Sequence, residues 1–240
     1  MTKQIICGDA VQEMKQIPSA SIQIIFCDWP FKITRAKWDQ TGIDLNAWWA
    51  EAKRILKPNG VVLAKCVFPF TLEVADSNPE WLRYDWIWEK GNATGHYNAR
   101  RAPLRAHETI LVFYAKQPCY NPQKTSGHKR KISTAHHRRG SKKSELYGDA
   151  VDIGYDSTER FPRSVLKFSS DKQKKNLVST QTPVALLEYF LLTYSSPGDV
   201  TADTTCGSGS WGEACQNLGR GYWLIDNDPE KIEITKRRLL

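Results

Sequence analysis

Apolar and polar positions change period several times along the chain. Ile22–Cys27 is a short, almost continuous apolar run rich in β-branched residues, which is typical of a strand covered on both faces. Asp44 precedes apolar residues at helical spacing and is expected to cap that helix. Pro58-Asn59-Gly60 is expected to end it before the next strand, Val61–Val67. Segments that alternate in this way predict a parallel α/β sheet.

The later part of the chain repeats this alternation after a long irregular segment. Strands are predicted at Tyr84–Glu89 and Thr109–Ala115, with a polar loop from Lys90 to Ala106. From about Lys116 to Lys175 the periodicity disappears, over a length that ordinary connections in a compact domain do not reach. The elements predicted after it are a helix capped by Thr182 with Pro183 at its first position and ending near Tyr194, a strand at Val200–Thr204, a helix to Leu218, a strand at Tyr222–Ile225, and a final helix after Asp228-Pro229.

These elements predict the fold class α/β, with a doubly wound, mostly parallel sheet and a basic insertion. The expected division is residues 1–115 for a first half of the main domain, 116–177 for the insertion and 178–240 for a second half. The chain has 240 residues, of which 40% are hydrophobic and 25% charged, so it can fill a core and wholesale disorder is excluded.

The excess positive charge is confined to one segment. The chain has 34 Lys+Arg against 26 Asp+Glu, a formal charge of +8. Lys124–Lys143 contains eight basic residues and no acid, so the rest of the chain is formally neutral. A basic stretch within an irregular segment is compatible with a nucleic-acid contact, although such runs are more often solvated surface.

Other composition features exclude several classes of protein. Six cysteines without a C-x-x-C pair indicate neither a disulfide framework nor a zinc site. His128, His136, His137 and Cys119 match no common zinc spacing, so no metal is expected. No apolar stretch approaches the roughly 20 residues of a membrane span, and the first residues do not resemble a signal peptide, so a cytoplasmic location is expected.

A glycine pattern follows the predicted strand Val200–Thr204. Residues 207–212 match G-x-G-x-x-G and lead into a predicted helix. Glycines let a backbone approach a ligand closely, and a helix N-terminus offers free N–H groups. Asp226 ends the next strand, where an acid can accept hydrogen bonds from ribose hydroxyls. This pattern fits NAD, FAD and S-adenosylmethionine sites alike, and also a tight turn without a ligand.

A second cluster, Asp28-Trp29-Pro30-Phe31, follows the predicted strand Ile22–Cys27. Ligands of open α/β sheets bind at the carboxyl ends of the strands. A carboxylate and a backbone carbonyl can accept hydrogens from an amino group, while an aromatic side chain stacks on a planar ring. Taken alone, the motif is better explained by an Asx-type turn with two aromatic residues in the core.

Together, the motifs resemble the β group of DNA amino-methyltransferases. Residues 28–31 look like that family's Asp-Pro-Pro-Tyr/Phe motif, and residues 201–210 look like its S-adenosylmethionine loop. The order, with the catalytic motif first, a basic region next and the cofactor loop last, is that of the β group. Further segments that resemble the family in register are Gly8-Asp9-Ala10, Ile55–Gly60, His107–Phe113, Arg160–Leu166, Thr180–Pro183 and Asp226–Pro229. Three places depart from its pattern: Trp29 replaces a proline, Thr182 a lysine, and Val178-Ser179 a His-Pro pair.

The resemblance implies a Rossmann-like methyltransferase fold and transfer of a methyl group from S-adenosylmethionine to the amine of a base flipped out of duplex DNA. Adenine N6 is expected because the motif begins with Asp, and cytosine N4 is the alternative. The catalytic residues implied are Asp28, Trp29, Pro30 and Phe31. The cofactor-binding residues implied are Asp9, Ala10, Thr182, Asp203, Cys206, Gly207, Ser208, Gly209 and Asp226.

Duplex DNA is the expected partner, with basic side chains contacting phosphates. The candidates are Lys129, Arg130, Lys131, Arg138 and Arg139 in the insertion, and Lys37, Arg100 and Arg101 in loops near the predicted pocket. A homodimer, a restriction-enzyme partner and an orphan enzyme of phage or prophage type remain open. The alternative functions are a catalytically weakened relative that only binds DNA and, more remotely, a nicotinamide dehydrogenase.

Overall fold

A computed structural model describes residues 2–33, 37–40, 42–133, 154–169 and 181–240. The strands are β1 (Lys3–Cys7), β2 (Ile22–Cys27), β3 (Leu56–Cys66), β4 (Leu82–Thr94), β5 (Arg105–Phe113), β6 (Lys131–Ser133), β7 (Tyr155–Ser157), β8 (Val165–Phe168), β9 (Val200–Asp203) and β10 (Gly221–Asp226). The α-helices are α1 (Ala10–Met14), α2 (Leu45–Ile55), α3 (Phe70–Asp76), α4 (Val184–Tyr194), α5 (Ser210–Leu218) and α6 (Pro229–Leu239), with short 3-10 helices at Lys37–Gln40 and His96–Asn98.

Eight strands form one sheet in the order β1-β10-β9-β2-β3-β5-β4-β8. All pairs are parallel except those that β5 makes with β3 and β4. The chain continues from β2 to β3 on one side and from β9 to β10 on the other. The carboxyl ends of β2 and β9 therefore meet at a topological switch point, where open α/β sheets bind ligands.

Helices cover both faces of this sheet, which confirms the doubly wound prediction. Side chains of α4, α5 and α6 pack on one face against residues such as Phe26 and Leu63. Side chains of α1, α2 and α3 pack on the other against Ile25 and Val62. Neighbouring residues of β2 and β3 thus point to opposite helical layers, because successive side chains of a strand alternate between faces. This explains why both strands read as continuous apolar runs.

The predicted start of the strand β3 was wrong. The strand β3 begins at Leu56, before the Pro58-Asn59-Gly60 segment that was expected to be a turn. The pairing register shifts in that segment: β3 advances from Leu56 to Val61 while its partner β2 advances only from Ile22 to Ile24. Helix α2 does have Asp44 as its cap, since the Asp44 carboxylate accepts a hydrogen bond from Ala47 N at 3.0 Å.

Several elements were not predicted from the pattern. The strand β1, the helices α1 and α3 and the strand β8 are short or half-exposed, so they lack a long periodic signal. The strand β8 lies in the segment that was interpreted as irregular, yet it pairs with β4 in the main sheet. Tertiary pairing, which is not local, makes it a strand.

Two compact units make up the chain. One comprises Met1–Asn121 and Ser164–Leu240 and contains the large sheet; the other is Pro122–Arg163. In the described part of the smaller unit, β6 and β7 pair antiparallel, and Thr125 forms an isolated bridge with Arg160. No helix among the described residues is long and apolar enough to cross a membrane.

Candidate active site

Three acids follow or end neighbouring strands at the switch point. Asp28 follows β2, Asp203 ends β9 and Asp226 ends β10. In the parallel register, Asp203 is paired with Phe26 on one side and with Leu224 on the other. The carboxyl edge of the sheet therefore gathers three carboxyl groups that the sequence places up to two hundred positions apart.

The main chain and side chain of Asp28 are both held by other strands. Its N–H donates to Thr205 Oγ1 at 2.7 Å, just after β9. Its Oδ2 lies 2.7 Å from Nζ of Lys65, which belongs to β3. Burial raises the pKa of Asp28, and the Lys65 ammonium opposes that rise. The predicted catalytic acid is thus a partly buried carboxyl, 23% exposed, that forms an ion pair with Lys65.

Trp29 and Phe31 serve different purposes in the motif. The Trp29 side chain is 1% exposed and packs edge-on against Trp48, with ring centroids 4.8 Å apart. Its side chain is part of the core, so only its carbonyl remains for the expected hydrogen bond. Phe31 is partly exposed, and its ring centroid lies 6.3 Å from that of Phe70. Pro30, between them, is also partly exposed.

Asp39 shapes the segment after the motif, and the sequence analysis missed it. Its buried carboxylate accepts hydrogen bonds from three consecutive N–H groups: Phe31 at 2.8 Å, Lys32 at 3.1 Å and Ile33 at 2.9 Å. These bonds fix the backbone that presents Phe31. No pattern in the sequence distinguishes Asp39 from a surface acid, because its partners are backbone groups.

The sequence analysis also missed three charged residues, Lys65, Glu108 and Lys90, which continue from Asp28 across the sheet. Glu108 of β5 has its Oε2 3.0 Å from Lys65 Nζ and its Oε1 2.7 Å from Lys90 Nζ. Burial opposes the charge of Glu108, but Lys65 and Lys90 outweigh it and lower its pKa to about 2. A lysine inside the apolar run Val61–Val67 was the available signal, because buried lysines are rare without a partner.

The glycine loop has the geometry that its pattern predicts. Gly207 and Gly209 have φ of +53° and +77°, a region that side chains disfavour. Gly212 permits close helix–strand packing, since a Cβ there would lie 2.5 Å from Leu239 Cδ1 and 2.6 Å from Leu224 Cδ1. All three glycines of the fingerprint are therefore required by the fold. The space next to Gly207 is open. A Cβ added to Gly207 would have the Thr205 carbonyl oxygen as its nearest neighbour, at 4.0 Å.

Asp226 organises this loop from the next strand. Its Oδ2 accepts a hydrogen bond from Gly207 N at 2.9 Å, and its Oδ1 accepts one from Asp228 N at 3.0 Å. Asp203 accepts a bond from Thr205 N at 3.0 Å and is 3% exposed. Burial raises the pKa of Asp203 well above its usual range, and the negative charges of Asp28 and Asp226 add to this. A positive charge bound beside Asp203 would therefore favour its carboxylate form.

Side chains of the last helix, α6, form hydrogen bonds with the glycine loop. These contacts were not predicted from the sequence. Arg238 Nη1 donates to the Ser208 carbonyl at 3.0 Å and to Ser210 Oγ at 3.0 Å, and Arg238 also pairs with Glu213. Thr235 Oγ1 donates to the Gly207 carbonyl at 2.9 Å. In the sequence, Arg238 is indistinguishable from the other basic residues of the C-terminus.

The remaining predicted cofactor residues have structural tasks. Asp9 caps α1 by accepting a hydrogen bond from Gln12 N at 3.0 Å, and Ala10 is the first residue of that helix. Cys206 is a buried part of the core. Thr182 was expected to cap α4 but does not: its Oγ1 accepts a hydrogen bond from Lys65 Nζ at 3.0 Å instead. The departures at Val178-Ser179 lie outside the described residues.

The predicted DNA-binding residues are distributed over both units. Arg100 and Arg101 are exposed in the loop between β4 and β5. This loop leaves the sheet at its carboxyl edge because β3 and β4 both run opposite to β5, so β4 ends at the same edge as β3. In the smaller unit, Lys129, Arg130 and Lys131 are exposed. Arg130 is not free, since it pairs with Asp156 through two contacts of 2.7 and 2.6 Å. Arg138, Arg139 and the side chain of Lys37 lie outside the described residues.

Comparisons with known proteins agree with this geometry. The sequence model of the N6/N4 methyltransferase family, described as DNA methylase, matches residues 22–237. The chain is 26% identical to the Type II methyltransferase M.HinfI of Haemophilus influenzae, over 98% of this chain and 67% of that protein. It is 24% identical to the Type II methyltransferase M.HpaI of Haemophilus parainfluenzae, over 100% of this chain and 74% of that protein.

Solved structures share the fold. The crystal structure of the M1.HpyAVI–SAM complex superposes with a TM-score of 0.65 at 21% identity, covering 99% of this chain and 100% of that one. The PvuII DNA methyltransferase, described as cytosine-N4-specific, superposes with a TM-score of 0.66 at 14% identity, covering 100% and 88%. With the acid motif after β2 preceding the glycine loop after β9 in the chain, these matches establish that the protein belongs to the β group of the N6-adenine/N4-cytosine DNA methyltransferase family.

Proposed function

We propose that this protein transfers a methyl group from S-adenosylmethionine to the N6 amine of adenine in duplex DNA. The observation that carries the proposal is the position of Asp28, a partly buried carboxyl at the switch point, held by Lys65 and by Thr205 after β9. Adenine is preferred over cytosine because the catalytic motif begins with Asp.

The residues at the carboxyl edge fit the cofactor. The positive-φ glycines 207 and 209 leave the backbone accessible. Asp203 and Asp226 offer carboxyl groups to a cationic ligand, whose positive charge would oppose the burial and the neighbouring charges that raise the pKa of Asp203. Asp226 would hold the ribose, Asp203 and residues 206–209 the methionine part, and Asp9-Ala10 the adenine ring. When bound, S-adenosylmethionine supplies an electrophilic methyl group on a sulfonium.

The protein's own part in the reaction is to position a weak nucleophile. The lone pair of an exocyclic amine is delocalised into the ring. Asp28 and the Trp29 carbonyl would accept the two amine hydrogens and so localise the lone pair. Such positioning and electrostatic stabilisation is sufficient for a large acceleration without covalent catalysis.

The target base must leave the duplex to reach Asp28, and Phe31 would stack on it to offset the lost stacking. Arg100 and Arg101 at the carboxyl edge, and Lys129, Lys131, Arg138 and Arg139 of the insertion, would contact phosphates. Arg130 would do so only by exchanging Asp156 for a phosphate, since the two side chains are paired.

Incubation of unmethylated genomic DNA with the protein and methyl-labelled S-adenosylmethionine, followed by nucleoside chromatography, tests the proposal. We expect N6-methyldeoxyadenosine. Asp28→Ala should abolish the product, whereas Asp85→Ala, an exposed acid of the same sheet, should not. N4-methyldeoxycytidine alone would replace adenine with cytosine as the target, and DNA binding without any product would identify a weakened, DNA-binding relative.

A further inference from the structure

Four charged side chains alternate in sign across four neighbouring strands on one face of the sheet. They are Asp28 after β2, Lys65 of β3, Glu108 of β5 and Lys90 of β4. The residues two positions before or after them, Phe26, Leu63, Ile110 and Trp88, belong to the same apolar cluster, so the four charges lie on that cluster's face. The Nζ–carboxylate distances along this row are 2.7, 3.0 and 2.7 Å.

Lys65 is the centre of this row and is almost completely enclosed. Its side chain is 4% exposed. Its Nζ has three oxygen neighbours: Asp28 Oδ2 at 2.7 Å, Glu108 Oε2 at 3.0 Å and Thr182 Oγ1 at 3.0 Å. Lys65 thus donates a hydrogen bond to Thr182 and forms ion pairs with Asp28 and Glu108. A buried ion group of this kind contributes little to stability compared with an apolar substitute, which points to a functional reason for it.

We propose that Lys65 is a positioning residue for methyl transfer: it holds the Asp28 carboxylate through Oδ2 and leaves Oδ1 to accept a hydrogen from the target amine. This inference rests on the proposed function. Among the described residues, none donates a hydrogen bond to Asp28 Oδ1. Glu108, fixed in turn by Lys90 at 2.7 Å, keeps Lys65 at the centre of the row.

Lys65 also affects the pKa of Asp28. Burial and the negative charge of Glu108 raise the pKa of Asp28, whereas Lys65 and, from α6, Lys231 lower it. Asp203 of β9 also faces Asp28, and the two carboxyls disfavour each other's charge. Lys65 is therefore the principal group that lowers the pKa of Asp28 and so favours its carboxylate, the form that accepts hydrogen bonds.

The same geometry accounts for the threonine at position 182. The family resemblance leads to the expectation of a lysine there, yet the ammonium in this protein comes from β3. A hydroxyl at 182 accepts a hydrogen bond from Lys65, whereas a lysine would bring a second positive charge against it. Thr182 is thus matched to Lys65 and need not indicate a weakened site.

A titration of the Asp28 carboxyl by ¹³C NMR tests this inference without DNA or cofactor. Asp28→Asn identifies the signal. In Lys65→Met we expect the midpoint to rise by about one to three pH units, the effect of removing an opposite charge within hydrogen-bond distance. The acid limb of kcat/KM, which reports groups of the free protein, should move to higher pH by the same amount.

Lys57→Met is the matched control. Lys57 lies on the same strand and forms a similar ion pair, 2.7 Å from Asp199, but at the amino end of the strand. It should change neither the Asp28 midpoint nor the acid limb. Because Lys65→Met leaves Glu108 with one fewer partner and can fail to fold, Lys65→Met/Glu108→Gln provides a second variant. Its Asp28 midpoint should still rise, but by less, since the negative charge of Glu108 that raises the pKa of Asp28 is removed too.

An unchanged Asp28 midpoint in a folded Lys65 variant overturns the inference, even if the wild-type protein methylates DNA. Failure of the wild-type protein to methylate DNA contradicts the proposed function instead, and the NMR titration still reports on Lys65.

Discussion

Gly209 lies against the side chain of Thr235 so closely that a Cβ on Gly209 would be 2.9 Å from Thr235 Cγ2. The last helix thus forms the underside of the cofactor loop. Gly209 also has a φ of +77°, so two independent physical reasons require glycine at this position.

We expect Gly209→Ala to weaken S-adenosylmethionine binding at least about tenfold, because the loop must move away from Thr235. Gly198→Ala is the control: its φ is +89° but nothing lies within 4 Å of its Cβ position. In both variants the free energy of unfolding should fall by about 1–2 kcal/mol, because alanine disfavours the left-handed backbone conformation. Only Gly209→Ala should lose affinity as well, and equal affinities in calorimetry would contradict this account.

Arg238 is expected to stabilise the same loop. Its guanidinium contacts Ser208, Ser210 and Glu213, and its side chain is 6% exposed. Hydrogen bonds to a charged group contribute about 1.5–3 kcal/mol each when buried. Arg238→Met should therefore lower both the melting temperature and the affinity for the cofactor.

Arg237→Met is the control that tests whether the loss of melting temperature and cofactor affinity is specific to Arg238. Arg237 is the preceding residue of α6 and is exposed. Thermal unfolding with and without S-adenosylmethionine should show little change for Arg237→Met. If both variants behave alike, the loop does not depend on Arg238.

The raised pKa of Asp203 predicts that cofactor affinity depends on pH. Its causes are burial and the neighbouring charges of Asp28 and Asp226. A sulfonium ligand is stabilised by the carboxylate and not by the carboxylic acid. Below the pKa of Asp203 in the free protein, binding must therefore release a proton, and affinity should rise with pH by up to about tenfold per unit.

Isothermal titration calorimetry across pH 5–9 in buffers of different ionisation enthalpy measures both affinity and proton release. Asp203→Asn should flatten the dependence. The apoprotein should show the opposite trend in stability: a carboxyl whose folded pKa is raised loses stability as pH rises from its unfolded pKa through its folded pKa. A slope that survives in Asp203→Asn would assign the titration to another acid.

Arg100 and Arg101 predict the salt dependence of DNA binding. Both are exposed at the carboxyl edge of the sheet, beyond β4. If each contacts one phosphate, Arg100→Ser/Arg101→Ser should reduce the slope of log K against log salt by about 2. Arg83→Ser, at the amino end of β4, should leave the slope unchanged. A slope unaffected by the double change would remove this loop from the DNA interface.

The aspartates and glycines at the carboxyl edge could be predicted from the sequence because their signals lie in neighbouring residues of the chain. Asp28 follows an apolar strand, and the glycines occupy a recognisable spacing before a helix. The structure adds a reason for the third glycine that its spacing did not give, the close packing of Gly212 against Leu224 and Leu239. Periodicity also identified β2, β9 and β10, since these strands are buried on both faces.

The residues that support the site were missed because their partners are distant in the chain. Lys65 looked like one exception in a strand, and Glu108 and Lys90 like ordinary polar residues near strand ends. Thr182 looked like a helix cap, but its hydroxyl accepts a hydrogen bond from Lys65, 117 positions away. Trp29 belongs to the core rather than to the pocket surface.

The amino-acid sequence alone determined the fold class, the family resemblance and the positions of the two motifs, because short-range periodicity and spacing carry that information. Only the tertiary structure decided which charges meet. The order β10-β9-β2-β3-β5-β4 brings Asp226, Asp203, Asp28, Lys65, Glu108 and Lys90 to one edge. Electrostatic interaction depends on distance and burial, and strand pairing sets both, so the charge state of the site is a property of the folded sheet.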